Sequence, residues 1–290
     1  MYKIACVGCG FVGSAVSAGF NLLLGDKVDI REYDKYKDTE SLETVVNHSD
    51  ILFIALPTPM NEDGSCDISI IESVIEEVNS IAKRPKSIIV KSTIPPGTTQ
   101  KLQDKYPKHT LIFSPEFLTE KRSFEDVLEQ DRIFLGFTSN KEHFARVDKL
   151  FQDFASAQKK PAIIVRVPSQ QAEFLKYATN AFLATKIAFC NEIYDVCEAI
   201  NVDYNSVRDL LKLDKRIGSS HLSVPGPDGK RMFGGKCLPK DLNSLIFFAR
   251  ENGVDPLLLD TVWTKNIMLR EPDWEEIPGA TTKNMDFKKK

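Results

Sequence analysis

No run of about eighteen consecutive apolar residues occurs in the 290 residues, which leaves no candidate for a membrane-spanning helix. No charged segment leading into a short apolar run marks a secretory leader, so a reducing cytoplasm is the expected compartment. Charge of one sign is lacking too: 38 Lys and Arg stand against 41 Asp and Glu, a formal net charge of −3. That balance argues against a nucleic-acid partner, which calls for a basic patch or stripe. The basic end Lys288–Lys290 reads as a solvated tail. Cysteine is sparse. Cys6, Cys9, Cys66, Cys190, Cys197 and Cys237 read as separate thiols, with no zinc-type set among them, and no metal is expected. A chain this long and this rich in core residues has no need of disulfides.

What is present is the balance of an ordinary globular protein, 42% hydrophobic and 27% charged, long enough for about two domains. Short apolar runs alternate with amphipathic stretches in the first half. Strands are expected at Lys3–Val7, Lys27–Tyr33, Ile51–Leu56, Ser87–Lys91, Thr110–Phe113, Ile133–Gly136 and Ala162–Val165. Helical patterns such as Asp67–Ala82 and Lys141–Phe154 lie between them. This alternation predicts a doubly wound parallel sheet covered on both faces. From Ser169 to Ile200 there is neither Gly nor Pro, and apolar residues recur at helical spacing, which reads as one long helix supporting a subunit interface. Further helices are expected at Asp203–Leu213, Pro239–Glu251 and Pro256–Leu269. The resulting expectation is a Rossmann-type domain over 1–166, an all-helical domain over 167–270 and a tail over 271–290.

The first strand runs into Gly8-Cys9-Gly10-Phe11-Val12-Gly13, and a helix follows. In that setting the glycines have separate uses: Gly8 for the tight turn, Gly10 for close approach of a pyrophosphate, Gly13 for helix–strand packing. The helix N-terminus then offers N–H groups to the phosphates. Glu32 and Asp34 both have the spacing to bind ribose hydroxyls; Asp34, at the end of the strand, is favoured, and an acid there selects NAD over NADP.

A second stretch, Phe233-Gly234-Gly235-Lys236-Cys237-Leu238-Pro239-Lys240-Asp241, sets a cysteine just before a helix, between two lysines. Such surroundings favour thiolate. From Gly234 to Asp241 it resembles the active-site motif of UDP-glucose 6-dehydrogenases and GDP-mannose dehydrogenases. Other segments resemble that family in the same order: Pro57-Thr58-Pro59, Lys91 to Gly97, Ser114 to Glu120, Lys176 to Phe182, and Arg216-Ile217-Gly218. The resemblance runs from Met1 to about Leu269. It implies NAD-dependent oxidation of a nucleotide sugar, UDP-glucose foremost, from alcohol to carboxylate through a thiohemiacetal and a thioester on Cys237. It implies that Lys176 and Asn180 stabilise an oxyanion, that Glu116 is the base with Thr93 holding water, and that Asp241 orients a water or Lys176. Thr58, Thr93 and Glu120 would touch the cofactor. Phe117, Leu118, Lys176, Arg216, Phe233 and Gly234 would meet the substrate, and the protein would be a homodimer.

Two departures from the family pattern stand out. Full-length members continue into a second Rossmann-like domain, for which this sequence has no counterpart. The loop from Gly218 to Phe233 is longer than usual, and its His221, Lys230 and Arg231 are candidates for replacing lost phosphate contacts. The alternative functions are a single-step hydroxyacid dehydrogenase of the 6-phosphogluconate or 3-hydroxyisobutyrate type, and a non-catalytic NAD-binding subunit.

Overall fold

A computed structural model describes residues 1–119 and 122–285. The chain forms two compact units: residues 1–58 with 68–176, and residues 59–67 with 177–290.

In the first unit the strands are β1 (Tyr2–Val7), β2 (Val28–Tyr33), β3 (Ile51–Ile54), β4 (Ser87–Val90), β5 (Thr110–Phe113), β6 (Arg132–Phe137) and β7 (Ile163–Pro168). They form one sheet in the order β2-β1-β3-β4-β5-β6-β7. All seven predicted strands are present. Neighbouring strands are parallel except β5 and β6, where Ile112 faces Phe137 and Phe113 faces Gly136 in antiparallel register. The doubly wound parallel sheet expected from the sequence is present; the one antiparallel pair was not foreseen, because apolar periodicity carries no strand direction.

The central strands β1, β3, β4 and β5 are buried on both faces, and alternation along them divides their residues between two cores. Ile4, Cys6, Ile51 and Phe53 pack on one side with α1 (Phe11–Leu24) and α6 (Phe144–Ala157), where Phe20 stacks on Phe154 with ring centroids 4.2 Å apart. Ala5, Val7, Leu52 and Ile54 pack on the other with α2 (Leu42–His48), α3 (Ser69–Ile81) and α4 (Thr98–Lys105). The short α5 (Ser123–Leu128) lies between β5 and β6 in the chain. Strand order reverses between β1 and β3, so the crevice beyond the carboxyl ends of these two strands is the place where such sheets bind ligands.

The long helix α7 runs from Ser169 to Ala199, one residue short of the expected stretch. Its Tyr177, Ala181, Ala184 and Ala188, spaced four, three and four, enter the core of the second unit with Leu242, Leu245, Ile246 and Val262. The latter come from α9 (Cys237–Glu251) and α10 (Leu257–Leu269). Between α7 and α9 lies α8 (Tyr204–Leu211), whose first turn is capped by the Asp203 carboxylate accepting from the N–H groups of Asn205 and Ser206. The residues after α10 are packed: Trp274 is buried against Trp263, and Met60 N–H donates to Ala280 O at 2.9 Å.

Candidate active site

At the carboxyl end of β1 the three glycines meet three different demands. Gly8 has φ +93°, and a Cβ there would lie 2.5 Å from Ala55 O. At Gly13 a Cβ would come within 1.9 Å of Gly8 O, so helix and turn touch backbone to backbone. Gly10 has nothing within 4 Å of its missing Cβ, so its lack of a side chain is not explained by protein packing. It leaves room for a ligand to reach the backbone at the start of α1. No side chain caps that helix, whose N-cap is Gly10. Open space beside an uncapped helix N-terminus at the reversal point fits a dinucleotide pyrophosphate.

Asp34 follows β2 directly. Its carboxylate accepts from Cys9 N–H at 2.8 Å and from Tyr36 N–H at 2.9 Å, which fixes it at the flank of the glycine turn. Lys37 Nζ donates to Cys9 O from the same side. Phe11 and Val12 form the first turn of α1 and are half-buried. The reading of six separate thiols missed one spacing. Cys6 and Cys9 stand in C-x-x-C register, and a hydrogen bond between their side chains raises the Cys6 pKa well above its usual value and lowers that of Cys9.

The loops beyond β3, β4 and β5 are tied to one another. Ser92 Oγ accepts from Leu56 N–H at 2.9 Å and donates to Leu56 O at 2.7 Å. Thr58 is buried and Thr93 half-buried in these loops. Glu116 follows β5, and Lys176 Nζ reaches it from α7, donating to its carbonyl at 2.7 Å and to Oε1 at 3.1 Å. The pair is sequestered, with side chains 5% and 9% exposed for Lys176 and Glu116. Oε2 of Glu116 accepts from Leu118 N–H at 2.7 Å. Phe117 is half-buried and packs edge-on against Phe134, with Lys176 Nζ 5.3 Å from its centroid. Glu120 lies outside the described residues.

A missed residue of this region is Lys91, just after β4. Its ammonium is buried and donates to Ser114 Oγ and Pro115 O. Burial pulls its pKa down to about 8; Glu116 opposes that shift and Lys176 adds to it. A second buried group, Glu173 on α7, accepts from the N–H groups of Gly97 and Thr99 and caps α4.

In the second unit Cys237 is the first residue of α9, which begins two residues earlier than the expected Pro239, and is half-buried. Pro239 falls in the first turn, where its missing N–H costs nothing. Gly235 before it has φ +74° and open space at its Cβ position. Gly234 is glycine for another reason: a Cβ there would lie 2.2 Å from the Arg270 guanidinium. Phe233 is core, 2% exposed, and its N–H donates to Asn266 Oδ1. One turn into α9, Asp241 accepts from Asn180 Nδ2 at 2.5 Å and from Lys240 Nζ. Burial opposes the charge on Lys240, but Asp241, Cys66 and Cys237 outweigh it and hold its pKa above that of an ordinary lysine. Asp241 is thus partnered by Asn180 and Lys240. Lys240 had been read only as a charge flanking the thiol.

Arg216 is 89% exposed and paired with Asp214. Two of the loop cations are engaged within the second unit. Lys230 bonds Asp273 at 2.8 Å, while Arg231 donates to Asn191 and Asp195 and lies over the Tyr194 ring. Cys66 was also overlooked. It sits in the 59–67 segment, hydrogen-bonded to Tyr177, whose hydroxyl accepts from Ser244 at 3.0 Å. Nothing local in sequence announces that placement, since the partners are more than 100 residues away.

The first unit has the architecture and glycine turn of a dinucleotide-binding oxidoreductase, and the second presents a cysteine at a helix start above a buried Asn–Asp–Lys set. Residues 23–155 match the UDP-glucose/GDP-mannose dehydrogenase family, NAD binding domain, and residues 170–267 match its central domain. The chain belongs to the UDP-glucose/GDP-mannose dehydrogenase family, and its first unit is the family's NAD-binding domain. A UDP-glucose 6-dehydrogenase of Bacillus subtilis is 30% identical over 92% of this chain and 63% of its own length. A UDP-glucose dehydrogenase from the archaeon Pyrobaculum islandicum superposes with TM-score 0.79 at 29% identity, over 92% of this chain and 68% of that one. A Mycobacterium tuberculosis 3-hydroxyisobutyrate dehydrogenase superposes with TM-score 0.70 over 91% of this chain and 92% of its own, but at 17% identity shares only the fold. The chain spans between about half and two thirds of the length of the curated relatives it matches, 63%, 53% and 55% for three of them. Among the described residues, no helix is long and apolar enough to cross a membrane.

Proposed function

We propose that the chain oxidises a nucleotide sugar, UDP-glucose foremost, from primary alcohol to carboxylate, with Cys237 as covalent nucleophile. The observation that carries this reading is the start of α9: a half-buried cysteine beside an open glycine, with Asn180, Lys240 and Asp241 joined one turn below. When bound at the glycine turn, NAD⁺ is the hydride acceptor for both oxidations.

The residues divide the remaining work. Lys176 and Asn180, one helical turn apart on α7, stabilise the oxygen anion formed at C6. The Cys237 thiolate adds to the aldehyde carbon to give a thiohemiacetal. Loss of a second hydride leaves a thioester. Glu116 then takes a proton from water, with Thr93 holding that water. The hydroxide adds, the C–S bond breaks, and carboxylate and thiolate are released. Asp241 fixes the amide of Asn180. Asp34 takes the ribose hydroxyls, while Thr58 and Glu120 contact the cofactor. Phe117, Leu118 and Arg216 contact the substrate; Phe233 and Gly234 would do so through backbone groups. A reducing cytoplasm suits a catalytic thiol.

A homodimer is the proposed assembly. Phe182, Phe189 and Val196 stand seven residues apart on α7 and are 67%, 59% and 51% exposed, a stripe suited to a second copy of the same helix.

The test is NADH released per UDP-glucose consumed. Two NADH per sugar, with turnover lost in Cys237→Ser, is the expected result. One NADH per substrate supports single-step oxidation, and cofactor binding without turnover on any nucleotide sugar supports the non-catalytic reading.

A further inference from the structure

Lys91 is a lysine in a place that disfavours one. It follows β4 at the carboxyl end of the sheet, with its N–H bonded to Ile54 O, and it is 9% exposed. Its ammonium donates to Ser114 Oγ at 3.2 Å and to Pro115 O at 3.3 Å, the two residues that lead from β5 into Glu116. Both acceptors are neutral. A buried ammonium without a carboxylate in contact is costly, and a hydrophobic side chain of the same length would fill the space at less expense. An ammonium has three donors, and two are used among the described residues. A cavity of about 20 Å³ is lined by both Lys91 and Glu116, with Leu118, Val127 and Gln130. That volume holds about one water.

We propose that Lys91 is a positioning residue for Glu116: its buried ammonium anchors Ser114 and Pro115, the two residues that lead into the carboxylate, and the two side chains line one small cavity. This rests on the reading of Glu116 as the base. Two lysines serve the one carboxylate. Lys176 touches it directly, while Lys91 holds the two residues that lead into it. Burial brings the Lys91 pKa to about 8, so the group gains and loses its proton near neutral pH.

The test follows lysine Cε resonances through a pH titration of the whole chain labelled with ¹³C-lysine, with Lys91 assigned by Lys91→Met. A midpoint near 8 is expected, moving down in Glu116→Gln and up in Lys176→Met, the signs that loss of an anion or a cation requires. If Lys91→Met does not fold, Ser114→Ala supplies the assignment by removing one acceptor. Where turnover is present, Lys91→Met lowers kcat by about tenfold or more, because the segment that carries the base loses its anchor. KM for the sugar changes by less than about twofold if Lys91 acts through the base rather than through substrate binding. A Lys91 midpoint indifferent to both partner variants, or a kcat unchanged in Lys91→Met, overturns the proposal. Absence of turnover in the wild type counts against the functional reading alone, and the titration then decides the role of Lys91.

Discussion

Gly10 and Gly13 carry the same side chain for opposite reasons, and substitution separates them. Gly13→Ala drives a Cβ to within 1.9 Å of Gly8 O, so α1 or the turn must shift. Overpacking of this kind costs about 1–3 kcal/mol, visible as a lower urea midpoint. Gly10→Ala meets nothing within 4 Å and leaves the midpoint in place. Its methyl group stands where a pyrophosphate approaches, so NAD⁺ affinity measured by calorimetry falls by about tenfold or more, equivalent to at least about 1.4 kcal/mol. Equal NAD⁺ affinity in Gly10→Ala and wild type counts against the cofactor site as placed here.

At the scale of elements, α7 has two kinds of face. Tyr177, Ala181, Ala184 and Ala188 are buried in the second unit, while Phe182, Phe189 and Val196 are exposed. A large aromatic held in water gives up roughly 1.5–3 kcal/mol that burial would supply. Phe189→Glu places a charge in the proposed interface without touching that core. Sedimentation equilibrium is expected to show a dimer for the wild type and at least about a tenfold weaker association for the variant. A monomeric wild type at micromolar concentration counts against the homodimer. Helix ends follow local chemistry more simply, as at Asp203, expected as the first residue of a helix and found as its cap.

For the whole molecule, acid stability is governed in part by His109, fully buried beneath the sheet, whose Nδ1 accepts from Lys86 N–H. Burial, with Lys108 and Lys86 nearby, lowers its pKa from 6.5 to about 4. The unfolded chain therefore takes up a proton that the folded chain refuses between these values. Stability is complete above pH 6.5 and falls by about 1.4 kcal/mol per pH unit down to about pH 4, roughly 3 kcal/mol in all. Urea midpoints at pH 7 and pH 5 check this. His109→Asn, which keeps an acceptor for Lys86 N–H and removes the titration, is expected to flatten the difference.

The sequence by itself determined the alternation of strands and helices, the glycine turn, the long helix and the cysteine set among glycines and lysines at a helix start, because each is written in residues close together along the chain. Periodicity of two or 3.6 and the demands of a tight turn act over a few positions. Tertiary structure alone decided the antiparallel pairing of β5 with β6, the membership of residues 59–67 in the second unit, and the burial of Trp274 in what reads as a tail. It also decided the partners of the charged groups. Lys91 lies beside Ser114 and Pro115, Asp241 holds Asn180, and Arg231 turns inward to Asp195. A lysine or aspartate has the same appearance in sequence whether solvated or buried. Its chemistry depends on desolvation and on charges brought near by the fold, and neither quantity exists until distant segments pack.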